Sequence, residues 1–231
     1  MADALALMRH GEAGAPLLYL PSSGGDQHEF ARYGMLDDLA PWVEQHRLRV
    51  YAVDGAAPRH LWNEALAPQE RMRGYARFER ELALGVLPAI AAETGALPFV
   101  VGSSYGAFAA ANLLFKYPER IVGACGLGGV YGLWHRLDGH HDDEVYFHTP
   151  LEYLPRLADA SMLAAVRRTA GLALFAGDRD EWLASSERLA DVMARKSLPH
   201  RLDVWRGDVG HHERWWRRQL LQMTAARYGP P

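Results

Sequence analysis

Residues 97–118 read LPFVVGSSYGAFAAANLLFKYP. A short β-rich apolar run, Pro98 to Ser103, meets Gly102-Ser103-Ser104-Tyr105-Gly106, and a helix of small residues follows, Tyr105 to Lys116. Glycines two positions either side of Ser104 leave room for strand and helix to cross closely. Ala107 and Ala110 keep the helix face small. Such a turn lifts its central serine above the end of the strand in a strained conformation. The nearby helix N-terminus favours developing negative charge. Pro118 biases Tyr117 away from helix and closes the segment.

Outward from this turn the chain alternates. Strands are predicted at Pro16–Pro21, Leu48–Gly55, Pro98–Ser103, Arg120–Gly129, Leu172–Gly177 and Arg201–Gly207. Several are almost continuously apolar, as strands covered on both faces are. Helices are predicted over about Tyr33–Gln45, Pro68–Ala92, Tyr105–Lys116, Ser161–Arg168, Ser185–Lys196 and Glu213–Tyr228. Strand–helix alternation implies right-handed crossovers and a mostly parallel central sheet flanked by helices on both faces, an α/β fold. There are no repeats and no low-complexity linker, so residues 1–231 are expected to form one domain. The segment 131–155, rich in Gly, Pro, His and Asp, is expected to be a long loop or small cap over one end of the sheet.

Composition narrows the function classes. Hydrophobic residues make up 49% and charged residues 23% of the 231, ordinary for a globular protein. The net charge of −3 leaves no electrostatic footprint for nucleic acid. The lone cysteine, Cys125, lies in an apolar run and reads as a buried strand thiol; it excludes an internal disulfide and permits a reducing compartment. The opening stretch carries only a brief apolar segment, Ala4 to Met8, against the ~7–15 residues of a secretory core. No run approaches the ~20 residues of a membrane span. A cytoplasmic location is the expectation.

A serine hydroxyl is a poor nucleophile until a base takes its proton. Behind a Gly-x-Ser-x-Gly turn, acid and base follow the serine in chain order, each beyond a later strand. The run LALFAGDRDEW offers Asp180, three residues past Gly177, with Asp178 as its rival. The run WRGDVGHHERWW offers His211, directly after Gly210, with His212 as its rival. A tetrahedral oxyanion needs two backbone donors. One is the N–H of Tyr105; the other is expected in the loop YLPSSGGDQHEF after an early strand, at Gly24. Trp62 and His28 fall on the same edge of the sheet and are candidate substrate-binding residues.

The residues resemble a known family, the esterase D-like group of the α/β-hydrolase superfamily, with its mycolyltransferase relatives. The likeness spans most of the chain and rests on the run Tyr19–Gly55, on GSSYGAFAAANLLFKYPERI, on DDEVYFHTPLEYLP and on LDVWRGDVGHHERWWRRQL. It implies that Ser104, Asp180 and His211 act together. Relatives carry His-Asp-Trp-Pro-Trp-Trp where this chain has His211-His212-Glu213-Arg214-Trp215-Trp216.

Two other stretches carry weaker chemistry. The run His140-His141-Asp142-Asp143 is consecutive, a poor geometry for metal ligands. Trp215 and Trp216 are expected to pack a final amphipathic helix, with Arg217 and Arg218 solvated. The reading is a serine esterase acting on a small-molecule carboxylic ester, with no metal or other cofactor. Acyl transfer to an alcohol or sugar is the second reading, and a binding protein that kept the fold without turnover is the third.

Overall fold

A computed structural model of the chain describes residues 5–55 and 61–231. Ala4, the first residue of the brief N-terminal apolar segment, lies outside the described residues. Among these residues seven strands form one sheet: β1 Leu7–His10, β2 Ala15–Leu20, β3 Leu48–Val53, β4 Phe99–Ser103, β5 Gly123–Leu127, β6 Leu172–Arg179 and β7 His200–Gly210. Their order is β1-β3-β2-β4-β5-β6-β7, with β1 antiparallel to β3 and every other pairing parallel.

The period-2 pattern of the strands divides the interior into two cores. Leu18, Leu20, Tyr51, Val53, Val100 and Leu174 face one way. There they meet α3 (Pro68–Glu81), α4 (Leu87–Thr94), α5 (Tyr105–Lys116), α8 (Ala160–Arg167) and α9 (Leu183–Arg195). Leu17, Tyr19, Val50, Ala52, Val101 and Phe175 face the other way, against α2 (Met35–Glu44) and α10 (Glu213–Tyr228). Burying each of the leucine, valine and phenylalanine side chains among them contributes about 1.5–3 kcal/mol.

Strand order positions the site. From β2 the chain steps to β3 on one side, then returns to β4 on the other side of β2 and proceeds outward to β7. The order reverses between β2 and β4, and open α/β sheets bind ligands beyond the carboxyl ends of the strands at such a reversal. The loops that open there are those following Leu20 and Ser103.

Several elements differ from the sequence expectation. Strand β1 is a four-residue edge strand, half exposed and, among the described residues, paired with β3 alone, too short to show a hydrophobic period. The predicted helix at 68–92 runs to Thr94 but widens into a π-helical turn at Leu82–Val86. Pro88 explains this, because its ring clashes with the carbonyl four residues back and it has no N–H to give. Strand β7 runs three residues past Gly207, to Gly210. The segment 131–155 holds two short helices, α6 (Asp143–His148) and α7 (Pro150–Arg156). They are fastened to the body by Asn112 of α5. Its amide donates to Tyr75 Oη and to the His148 carbonyl, both at 2.8 Å, while Tyr153 Oη donates to its Oδ1 at 2.9 Å. No helix among the described residues is long and apolar enough to cross a membrane.

Candidate active site

Ser104 joins β4 to α5 at φ 52°, ψ −112°. Left-handed φ in a non-glycine residue costs on the order of 1–3 kcal/mol and persists only where the surroundings impose it. Here they do. A Cβ on Gly102 would collide with the backbone of Gly106, and a Cβ on Gly106 with the carbonyl of Leu20. The serine N–H donates to the Leu127 carbonyl at 2.8 Å.

Ser104 Oγ lies 3.1 Å from His211 Nε2. His211 Nδ1 in turn lies 3.1 and 3.2 Å from the two oxygens of Asp180. Asp180 is buried and closes a turn back to Gly177, and its Oδ1 also accepts the Trp182 N–H at 2.9 Å. His211 follows the last residue of β7. The Trp216 ring stands edge-on to the imidazole, centroids 4.9 Å apart. Beneath the pair lies Gly128, at φ 58°, where a Cβ would come within 3.0 Å of both Asp180 Oδ2 and His211 Nδ1. No spacing in the sequence marks that position; the contact appears only when three loops meet.

The neighbouring candidates are used elsewhere. Asp178 accepts the N–H groups of Gly207 at 3.0 Å and Val209 at 2.9 Å. His212 caps α10, accepting the Arg214 N–H at 3.3 Å, and faces Glu213 at 2.8 Å. His28 is exposed at the head of α1 (Glu29–Arg32) and bonds its neighbours Gln27 and Asp26. Arg217 is not simply solvated: it forms a forked pair with Asp38 at 2.8 and 2.7 Å. His140 bonds Asp142, which caps α6 through the Val145 N–H, and His141 bonds Glu152.

In the loop after β2, Ser22 N–H is given to Glu29 and Gly25 N–H to the Ser22 carbonyl. Among the described residues the N–H groups of Ser23 and Gly24 have no partner, and neither does that of Tyr105 at the first turn of α5. The loop abuts the serine turn, since Leu20 and Pro21 line a small apolar cavity together with Tyr105 and Gly106.

An aromatic cluster extends from Tyr105 of the turn. Trp62 meets Tyr105 edge-on at 4.9 Å, and the Arg136 guanidinium lies 3.4 Å above the Trp62 ring centre. Burial pushes the Tyr105 phenol up and the His135 imidazole down, and Tyr105 Oη and His135 Nε2 are hydrogen-bonded at 3.1 Å. The His135 ring lies tilted against Trp182, centroids 4.6 Å apart. Only Trp62 and Tyr105 of this group stood out in the sequence; His135, Arg136 and Trp182 sit in loops with no periodicity.

A reversed parallel sheet with a serine turn at the reversal is a known architecture. The chain has the α/β-hydrolase fold. It superposes on a ferulic acid esterase with TM-score 0.71 and 18% identity, over 91% of this chain and 83% of that one. It also superposes on the fluorophosphonate-binding serine hydrolase F of Staphylococcus aureus, TM-score 0.68 and 14% identity, over 97% and 98% of the two chains. An S-formylglutathione hydrolase of Agrobacterium tumefaciens gives TM-score 0.68 and 13% identity, over 97% and 90%. No family model matches the chain, and no curated protein matches its sequence.

Proposed function

We propose that this protein is a serine hydrolase of small-molecule carboxylic esters, working through an acyl-enzyme with Ser104, His211 and Asp180 as its triad. One observation carries the reading. The Ser104 hydroxyl, both nitrogens of His211 and the Asp180 carboxylate stand in one line with every step at 3.1–3.2 Å. The names of the structural neighbours, esterases and a fluorophosphonate-binding serine hydrolase, point the same way.

In this mechanism His211 Nε2 takes the Ser104 proton as Oγ attacks the ester carbonyl. Asp180 holds Nδ1–H, fixing the tautomer and stabilising the imidazolium that forms. The oxyanion is held by the Tyr105 N–H and an N–H of the loop after β2, with Gly24 the assigned donor and Ser23 beside it. His211 then protonates the departing alcohol, and a water activated by the same imidazole releases the acid. The chain acts as one domain, 1–231, with the 131–155 segment as its cap. Trp62, His135 and Trp182, grouped around the buried Tyr105, offer aromatic surface to the apolar part of an ester.

The test combines a fluorophosphonate probe with a panel of p-nitrophenyl esters graded by acyl length. Wild-type protein should take the label and hydrolyse esters, and Ser104→Ala should lose both, with turnover down at least about 10³-fold. Product analysis with an added alcohol separates hydrolysis from acyl transfer. A folded wild-type protein that neither labels nor turns over any ester would overturn the reading.

A further inference from the structure

Glu29 is 1% exposed, yet its carboxylate meets no lysine or arginine among the described residues. Burying a carboxylate without a counter-charge is costly unless hydrogen bonds replace its water. Three do. Oε1 accepts the Ser22 N–H at 2.8 Å and the Tyr19 hydroxyl at 2.8 Å, and Oε2 accepts the Ser22 hydroxyl at 2.7 Å. Tyr19 Oη is also hydrogen-bonded to Ser103 Oγ at 3.0 Å. With the phenolic hydrogen given to the carboxylate, the Ser103 hydroxyl is the donor in that bond.

The network joins two places that the sequence keeps far apart. Ser22 lies in the loop after β2, directly before the unpaired N–H groups of Ser23 and Gly24. Ser103 lies directly before the nucleophile candidate and its successor Tyr105. Gly25 seats against the same carboxylate, where any Cβ would strike Glu29 Oε2. The Ser22 N–H is drawn inward by Oε1, so the next two N–H groups are left outward. An oxyanion hole works because its donors are already aimed before charge develops.

We propose that Glu29 is a positioning residue for the oxyanion hole: through Ser22 on one side and Tyr19–Ser103 on the other, it holds the loop donors in register with the Tyr105 N–H. This rests on the hydrolase reading. The residue forms no bond to substrate; it acts through the loop.

The experiment compares Glu29→Ala, Glu29→Gln and Tyr19→Phe with wild type in steady-state ester hydrolysis. The fold is followed by circular dichroism, and competent serine is counted by fluorophosphonate titration. In Glu29→Ala, kcat per titrated serine should fall about 10²-fold, the scale of one lost oxyanion donor, with KM within about threefold. Glu29→Gln should recover to within about fivefold of wild type, because its Oε1 still accepts from Ser22 and Tyr19 while its Nε2 donates to the Ser22 hydroxyl. Tyr19→Phe should lower kcat about fivefold with KM unchanged, and it decides the matter if Glu29→Ala does not fold. Wild-type kcat in folded Glu29→Ala, or in Tyr19→Phe when that variant decides, would overturn the inference. So would a loss confined to KM or to the fraction of titratable serine. Absence of turnover and labelling in wild type would instead defeat the hydrolase reading and this inference with it.

Discussion

The serine side and the histidine–aspartate side of the site reach the same point by different means. Ser104 is placed by its immediate sequence: two glycines, a strand before and a helix after leave the backbone one path, and the residue's φ of 52° is the trace of that constraint. His211 and Asp180 are placed by contacts across loops. Each has a near-identical neighbour, and the fold gives the two members of each pair different contacts: Asp180 and His211 meet each other, while Asp178 and His212 accept nearby backbone N–H groups. Short-range sterics can be read from five residues; between adjacent side chains in a loop the sequence offers only chain position and a family resemblance, and the contacts that part them are tertiary.

The sharpest way to break this contrast is to swap the adjacent pairs. His211→Ala is expected to lower ester turnover at least about 10³-fold, and Asp180→Asn by about 10²–10⁴-fold through loss of the correct tautomer. His212→Ala should stay within about threefold, since its ring caps α10 and pairs with Glu213. Steady-state kinetics of the three variants suffices. Should His212→Ala be the inactive one, the line of contacts through His211 is not the working one.

The serine side is tested through its backbone. Gly106→Ala forces a methyl group onto the Leu20 carbonyl, a backbone atom of the adjoining strand with nowhere to yield. We expect a loss of about 3 kcal/mol in urea unfolding, the upper end for overpacking. Gly85→Ala is the control: a Cβ there meets open space inside the helical run after α3, so it should be neutral or stabilising by up to about 1 kcal/mol. Equal effects at the two glycines would mean that close approach does not shape the serine turn.

The same division explains what the sequence did and did not disclose. Strands β2 to β6 were legible because both faces are buried and their residues run almost wholly apolar. The helix from Tyr105 to Lys116 was legible with its ends, because a serine turn opens it and Pro118 closes it. Strand β1 was missed because one pairing partner and half-exposed faces leave no pattern. Helices α6 and α7 were missed for another reason: they are fastened by Asn112, Tyr75 and Tyr153, polar residues scattered over three elements. Glu29 is the strongest example. In sequence it is one acidic residue in a polar loop; in the fold it is the buried centre of the bonds that link that loop to the serine turn.

The smallest effect belongs to Asp178, and it tests how the histidine side is held. Its carboxylate accepts two backbone N–H groups from residues 207–209, just before the strand delivers His211. Those bonds, Val209 first and then Gly207, hold the carboxyl below the usual carboxylate range. A depressed folded-state value stabilises the fold above the unfolded carboxyl's titration, and the gain is lost as pH falls through the lower folded value. Asp178→Asn keeps one acceptor but sets an amide against the second N–H. Its Tm should therefore fall slightly below wild type at about pH 7, and the gap should close toward about pH 2, below the ordinary carboxyl value. Turnover at neutral pH should stay within about twofold, because the loop remains packed through Val209. A Tm gap that does not depend on pH would show that the carboxylate's charge is not what pins the strand end. A loss of turnover as deep as that of Asp180→Asn would move the acid from one residue of the pair to the other.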